Sequence, residues 1–438
     1  MTKILNFTII FILVLHLWIA TTFELSHDEA YYWLYSQHLS WGFFDHPPIV
    51  GLLIKLFSFL PKSELSVRTG FIILQTLSVV ILLRLVPSKR HLEALILFFA
   101  FPLASLAGLF ALPDMPLLFM TCLYCLVLKR YLEEEDTLSI IGLGAVIPLL
   151  LYSKYHGILL VFFTLVALPS LFKKKSFYVI AIVSILLFLP HVIWQYDHNF
   201  STLRYHFLER PKVEFSLKRL VEYSFAQVFL AGLFVGPFVW WSVVKTESKI
   251  DYFRALKFIC LGTFIFFFIS TFSKKFEANW TIFLTIPLIL LSVECPIWDK
   301  KWVKSLLIFS VIPVIIARFL LPLGPDEFPV KRLSEFHGWK AWSERVNNKC
   351  SRPIMANTYQ IASKLSFYLN RPIHALNLGS RKNQFDYWKP NSSYYLSSEV
   401  CYVTDKKQFV GELTVLPDGK NYNIVQDFIP SNLNDNSP

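Results

Sequence analysis

The chain has 438 residues, of which 54% are hydrophobic and only 17% charged. A soluble chain of this length carries nearer a quarter charged residues, so the composition excludes an ordinary soluble enzyme and points to a polytopic α-helical membrane protein. The formal net charge of +11 does not indicate nucleic acid, because the chain has no basic soluble segment interleaved with aromatics and because Lys and Arg in a membrane chain first set topology.

In chain order, the apolar runs predict eleven spans, near 4–21, 67–86, 92–110, 114–128, 138–152, 157–172, 177–194, 221–243, 256–273, 280–294 and 303–321. The first follows a lone Lys3 and no small-x-small site follows it, so it reads as an uncleaved anchor. The run "IVGLLIKLFSFL" at 49–60 is too short to span and carries Lys55, which suits an interfacial or re-entrant helix. Residues 1–321 therefore form the expected transmembrane domain. Residues 322–438 are polar, with helix-like "QIASKLSFYL" and strand-like "CYVTD", and predict a small external α/β domain. Its Cys350 and Cys401 suit a disulfide if that domain faces an oxidising compartment. The C-x-x-C of "CLYC" lies in an apolar run and reads as two small apolar residues.

Charge gives the sidedness. With Met1 inside, alternate loops carry Lys89 and Arg90, Lys129 and Arg130, Lys173 to Lys175, Lys245, Lys249 and Arg254, and Lys300, Lys301 and Lys304. Each is basic, as cytoplasmic loops are. The acidic "EEED" at 133–136 reads as a solvated part of one of them. The remaining loops then face outward. They hold "SHDEAYYWLYSQHLSWGFFDHPP" from Ser26, "ALPDMP" at 111–116, "YSKYHG" at 152–157, "QYDHNFSTLRYHFLERPK" at 195–212 and "SKKFEANW" at 273–280. An odd number of spans puts the C-terminal domain on that face as well.

Ionisable groups near a membrane are costly and mark function more often than chance. Carboxylates beside cations at an outer membrane surface suit an amphiphilic, phosphate-bearing substrate. Lys and Arg hold phosphate as charge-assisted donors, and a carboxylate takes a proton from an incoming hydroxyl. The candidate cations are Lys154, His156, Arg204, Lys274 and Lys275, with Tyr155, Glu277 and Asn279 beside them. Asp45 and His46 of "DHPP" are candidates for holding an acceptor. A divalent metal at Asp28, Glu29, Asp45 and His46 stays open, with no fixed ligand spacing to support it. A transporter or flippase for a lipid-linked glycan would place its ionisable groups near mid-membrane, whereas these span centres are almost free of charge.

The stretches "HDEAYYWLYSQHLSWGFFDHPPIVGLLI", "LPDMPLLF", "SKYHGILL", "YQIASKLSFYL" and "SRKNQFDYW" together resemble the bacterial dolichyl-phosphate-mannose mannosyltransferase-like superfamily, in the branch related to the aminoarabinose transferases that modify lipid A. The resemblance covers essentially the whole chain. It implies a GT-C fold and an inverting glycosyltransferase that takes a sugar from a polyprenyl-phosphate donor. The implied acceptor is a lipid such as lipid A or a glycan, at the periplasmic side of the bacterial inner membrane; a protein hydroxyl is the alternative within the fold. It also implies that Asp28 and Glu29 are the catalytic acidic pair, Asp28 as general base, and that Asp114 is a second acidic position. As a bare residue, Asp114 also fits a helix cap.

Overall fold

The computed structural model describes residues 3–205, 213–324, 327, 330–379, 381–388, 399–406, 408–409 and 411–430. The end of the 195–212 loop and Ser380 of "SRKNQFDYW" lie outside the described residues. The helices are α1 Lys3–Ile19, α2 His27–Gln37, α3 Ile49–Leu56, α4 Glu64–Leu85, α5 His91–Ala100, α6 Pro102–Ala107, α7 Asp114–Glu133, α8 Thr137–Ser153, α9 Ile158–Ala167, α10 Lys175–Asp197, α11 Ser201–Arg204, α12 Leu217–Leu230, α13 Gly236–Lys245, α14 Asp251–Ser270, α15 Thr285–Glu294, α16 Lys301–Leu320, α17 Trp339–Lys349 and α18 Tyr359–Leu369.

Every expected span falls largely on helix, but four are interrupted, the 157–172 run because α9 ends at Ala167 and a 3-10 helix, Pro169–Lys173, follows Leu168. The 92–110 run breaks into α5 and α6 at Pro102, whose ring cannot donate to the preceding turn. The 221–243 run breaks between α12 and α13, where Gly232 adopts a positive φ of 113° and Pro237 lies in the first turn of α13. The 280–294 run begins as a 3-10 helix, Ala278–Leu284, before α15. Among the described residues, five helices, α4, α7, α10, α14 and α16, are long and apolar enough to cross a membrane. Their surfaces agree: α10 exposes Ile182, Ile185 and Leu186 by 58%, 66% and 61%. Aliphatic surface of that extent is stable against lipid and not against water. The 49–60 run gives the eight-residue α3, too short to span.

The chain divides into two compact units: Met1–Leu17, His46–Val50 and Arg68–Arg318 in the first, and Trp18–Asp45, Gly51–Val67 and Phe319–Pro438 in the second. The first is the helical body. Within it α8 packs between α7 and α10, α14 packs on α9, and α15 packs on α13. Side-chain hydrogen bonds fasten the buried faces, as where Tyr124 Oη donates to Thr164 Oγ1 at 2.9 Å and Trp298 Nε1 to Ser242 Oγ at 3.0 Å.

The second unit joins most of the first loop to the C-terminal residues. Its five-stranded sheet comprises β1 Ile354–Ala356, β2 His374–Ala375, β3 Val400–Thr404, β4 Glu412–Val415 and β5 Asn421–Phe428, in the order β2-β1-β3-β5-β4. β1 runs parallel to β2 and β3, whereas β5 pairs antiparallel with β3 and β4. The helix α18 lies between this sheet and α2. Trp33 meets Phe367 edge-on at 5.2 Å, and the Leu25 N–H donates to Tyr368 Oη at 3.0 Å. Glu24 caps the start of α17 through the N–H groups of Trp339 and Lys340. Gly51 is required where α3 crosses α2, because a Cβ there would lie 2.8 Å from Tyr35 Cβ.

Cys350 and Cys401 form a disulfide, with Cα atoms 5.7 Å apart and a sequence separation of 51. It ties the end of α17 to the central strand β3. Replacing both cysteines by Ser is expected to cost about 2–4 kcal/mol of stability in this unit. Limited proteolysis of the purified protein reads the loss as faster cleavage after residue 330, and alkylation with and without reductant checks the bond itself.

Candidate functional site

The opening motif builds its own platform. Ser26 precedes α2, and its Oγ accepts from the Glu29 N–H at 3.2 Å while Glu29 Oε2 accepts from the Ser26 N–H at 2.8 Å. This reciprocal capping box satisfies two donors that a helix start leaves open. Glu29 is fully buried in that task. Asp28, one residue earlier, is open to solvent. The sequence pairs the two acids, and the structure separates their surroundings.

Asp28 is nonetheless set densely among protein groups, and its carboxyl is raised from the ordinary 3.8 to about 6. Desolvation is the largest cause, followed by the negative charges of Glu335 and Asp45. Arg381 and a hydrogen bond from Tyr359 act in the opposite direction. Because water reaches the side chain, screening works against the desolvation.

Asp45 is held on both oxygens: Tyr31 Oη donates to Oδ2 at 2.8 Å and Arg381 Nη1 to Oδ1 at 2.7 Å. Tyr31 Oη in turn accepts from the Gln384 N–H at 2.7 Å, and Gln384 Oε1 accepts from the Phe44 N–H at 2.7 Å. Tyr31, Tyr32 and Tyr35 are buried, and desolvation pushes their hydroxyls well above the ordinary 10, so they serve here as neutral hydrogen-bonding groups. Arg381 remains half-exposed, with its guanidinium 5.8 Å from the Tyr359 ring centre.

The helical body holds the other candidates. Asp114 is the first residue of α7. Lys154 follows α8 in extended conformation, and its Nζ donates to Asp114 Oδ1 at 2.9 Å. Asn279 Nδ2 donates to Asp114 Oδ2 at 3.2 Å. The ion pair is buried, with side-chain exposures of 5% for Lys154 and 7% for Asp114. Tyr155 belongs to a second cluster, its Oη 2.8 Å from His191 Nε2 and accepting from Gln195 Nε2 at 2.9 Å. The His156 ring packs against Phe267 and Trp280, with ring centres 5.6 and 5.2 Å away.

Lys275 and Glu277 are 4.0 Å apart on an exposed surface, where such pairs contribute little. Arg204 is exposed, while Lys274 and His46 are half-buried. Among the described residues, no three His, Cys, Asp or Glu side chains converge as a metal-ligand set.

Residues 45–194 match the family model for dolichyl-phosphate-mannose-protein mannosyltransferase. The lipid A galacturonosyltransferase RgtD of Rhizobium johnstonii is 23% identical over 314 residues, which cover 68% of this chain and 65% of the relative. The chain thus spans just under two thirds of that relative's length. ArnT from Cupriavidus metallidurans superposes with a TM-score of 0.67 in its apo state, over 98% of this chain and 99% of ArnT at 12% identity. The same protein bound to undecaprenyl phosphate gives 0.66, over 97% and 98%. The chain shares the fold of ArnT over nearly its whole length, and residues 45–194 resemble the mannosyltransferase family.

The sequence singles out Asp28, Glu29, Asp45, Asp114, Lys154 and Asn279 among its candidates. It gave no role to Glu335, Tyr359, Arg381 or Gln384. Three of those four lie in "YQIASKLSFYL" and "SRKNQFDYW", stretches that carried the resemblance without an assigned function. Glu335 had no signal at all, because its neighbour in space is 308 residues away in sequence.

Proposed function

We propose that the protein is an inverting glycosyltransferase that moves a sugar from a polyprenyl-phosphate donor to a lipid A-like lipid or a glycan, on the periplasmic side of the bacterial inner membrane. The observation that carries this reading is Asp28: a water-accessible carboxyl on a doubly capped helix, raised to about 6. A base in that range is ionised at neutral pH and still basic enough to take a proton. In the proposed step the acceptor hydroxyl gives its proton to Asp28 as its oxygen bonds to the anomeric carbon. The bond from that carbon to the donor phosphate oxygen breaks, and polyprenyl phosphate leaves with the electron pair. Little covalent help is needed, because the leaving group is already a stable anion that nearby cations stabilise further.

Glu29 acts in this scheme by fixing α2, and Asp45 by holding Arg381 and Tyr31 in place. Lys154 is the cation we assign to the lipid phosphate. A carboxylate anchors it, and among the described residues its ammonium makes no other hydrogen bond. His46, Tyr155, His156, Arg204, Lys274, Lys275, Glu277 and Asn279 remain proposed substrate contacts.

The galacturonosyltransferase relative favours a lipid acceptor, and ArnT bound to undecaprenyl phosphate favours the donor class. The disulfide and the basic alternate loops both suit an external C-terminal domain. Mass spectrometry of envelope glycolipids from strains with and without the gene tests the proposal. A lipid that loses one sugar mass in the deletion and regains it on complementation is the expected result. Unchanged lipids with an altered glycoprotein would move the acceptor to a protein hydroxyl.

A further inference from the structure

The N-terminus of α2 is capped twice. Ser26 and Glu29 close it from within the motif. The third bond comes from far along the chain: Glu335 Oε1 accepts the His27 N–H at 3.1 Å. His27 directly precedes Asp28, so this bond brings a second carboxylate to the helix end that presents Asp28. A fully buried cation secures the segment that carries it. Lys364 of α18 donates to the Glu335 carbonyl at 2.9 Å and also to the Leu25 carbonyl, and its ammonium sits 4.7 Å from the Trp339 ring centre. Trp339 meets the His27 ring edge-on at 4.8 Å. One buried lysine thus fixes both the strand of chain entering α2 and the residue that caps it.

We propose that Glu335 is a positioning residue for Asp28: it holds the first turn of α2 through the His27 N–H and stations a second negative charge beside the reacting carboxyl. This rests on the reading of Asp28 as base. The groups that bear on Asp28 come from each element around it. From α2 comes Tyr32; from the 331–336 segment, Glu335; from the end of the first loop, Asp45; from α18, Tyr359 and, through Glu335, Lys364; and from the 381–388 segment, Arg381.

His27 is neutral at working pH, because burial and the charges of Lys364 and Lys420 hold it down at about 3. It therefore brings no positive charge to offset Glu335. Of the two carboxylates that raise Asp28, Asp45 is already paired with Arg381. Glu335 spends its bond on a backbone N–H, which leaves its charge uncancelled by that contact.

Infrared titration of the full-length protein in detergent tests this without any substrate. The protonated-carboxyl band that Asp28→Asn deletes identifies Asp28, and its midpoint in the parent protein is expected near 6. Glu335→Gln keeps a carbonyl acceptor for the His27 N–H and removes only the charge. Its midpoint should fall by roughly one unit, since a like charge has been removed. Glu335→Ala, which also removes the cap, should broaden the band as the first turn of α2 frays. An Asp28 midpoint that stays in place or rises in Glu335→Gln overturns the inference. Full transfer by Asp28→Asn would instead overturn the base assignment and leave the infrared result standing.

Discussion

Asp28→Asn is expected to abolish sugar transfer and at the same time to stabilise the protein at neutral pH. The loss follows from removing a general base, which contributes about 10²–10⁴-fold in rate, and should appear in kcat with donor binding retained. The gain follows from the sign of the shift. The folded Asp28 carboxyl lies above its ordinary 3.8, at about 6, so the folded state binds more protons than the unfolded state between those values. Stability then falls as pH rises through that window, and the whole loss is present above it. The Asn variant carries no charge to desolvate and escapes that loss. Thermal unfolding of the two proteins should therefore coincide near pH 4 and diverge toward pH 7, with the variant higher. Transfer by the parent protein should rise with pH through about 6, as the base ionises. A variant less stable than the parent at pH 7 would mean that Asp28 is held mainly by favourable partners and is not a poised base.

The sequence made the helices legible because lipid imposes one rule on every residue of a span. Runs of Phe, Ile and Leu in α10 or α14 have a single use at that length. The breaks were harder to see. Pro102, Gly232 and Pro237 lie inside apolar runs, and hydropathy has no means of weighting a missing N–H or a positive φ. At the site, the tetrad from Ser26 to Glu29 reads as a capping box on its face, S-x-x-E before a run of aromatics. That signal was available, yet the adjacency of Asp28 and Glu29 suggested shared chemistry instead. Arg381 and Glu335 were beyond reach for a different reason. Their neighbours Asp45 and His27 are more than 300 residues distant in sequence, and a single chain offers no pattern linking positions so far apart.

The Asp114–Lys154 pair should separate folding from chemistry in a double-mutant cycle. Both side chains are buried, and taking either partner away leaves the other charged in a poorly solvated site, at a cost of roughly 3–5 kcal/mol. Lys154→Met is therefore expected to express poorly and unfold early, and Asp114→Asn likewise. The double variant removes both charges, and Asn at position 114 still offers a carbonyl to Asn279 Nδ2. It should recover most of the parent's thermal stability, because a buried pair replaced as a unit is nearly neutral in energy. Its transfer rate is the decisive measurement. If Lys154 stabilises the departing lipid phosphate, the folded double variant should remain about 10²–10³-fold slow, the usual loss when a preorganised donor is removed. The deficit should lie in kcat more than in KM, since the charge on the leaving oxygen grows in the transition state. A folded double variant with parental kcat would confine the pair to architecture, as an anchor between the start of α7 and the end of α8.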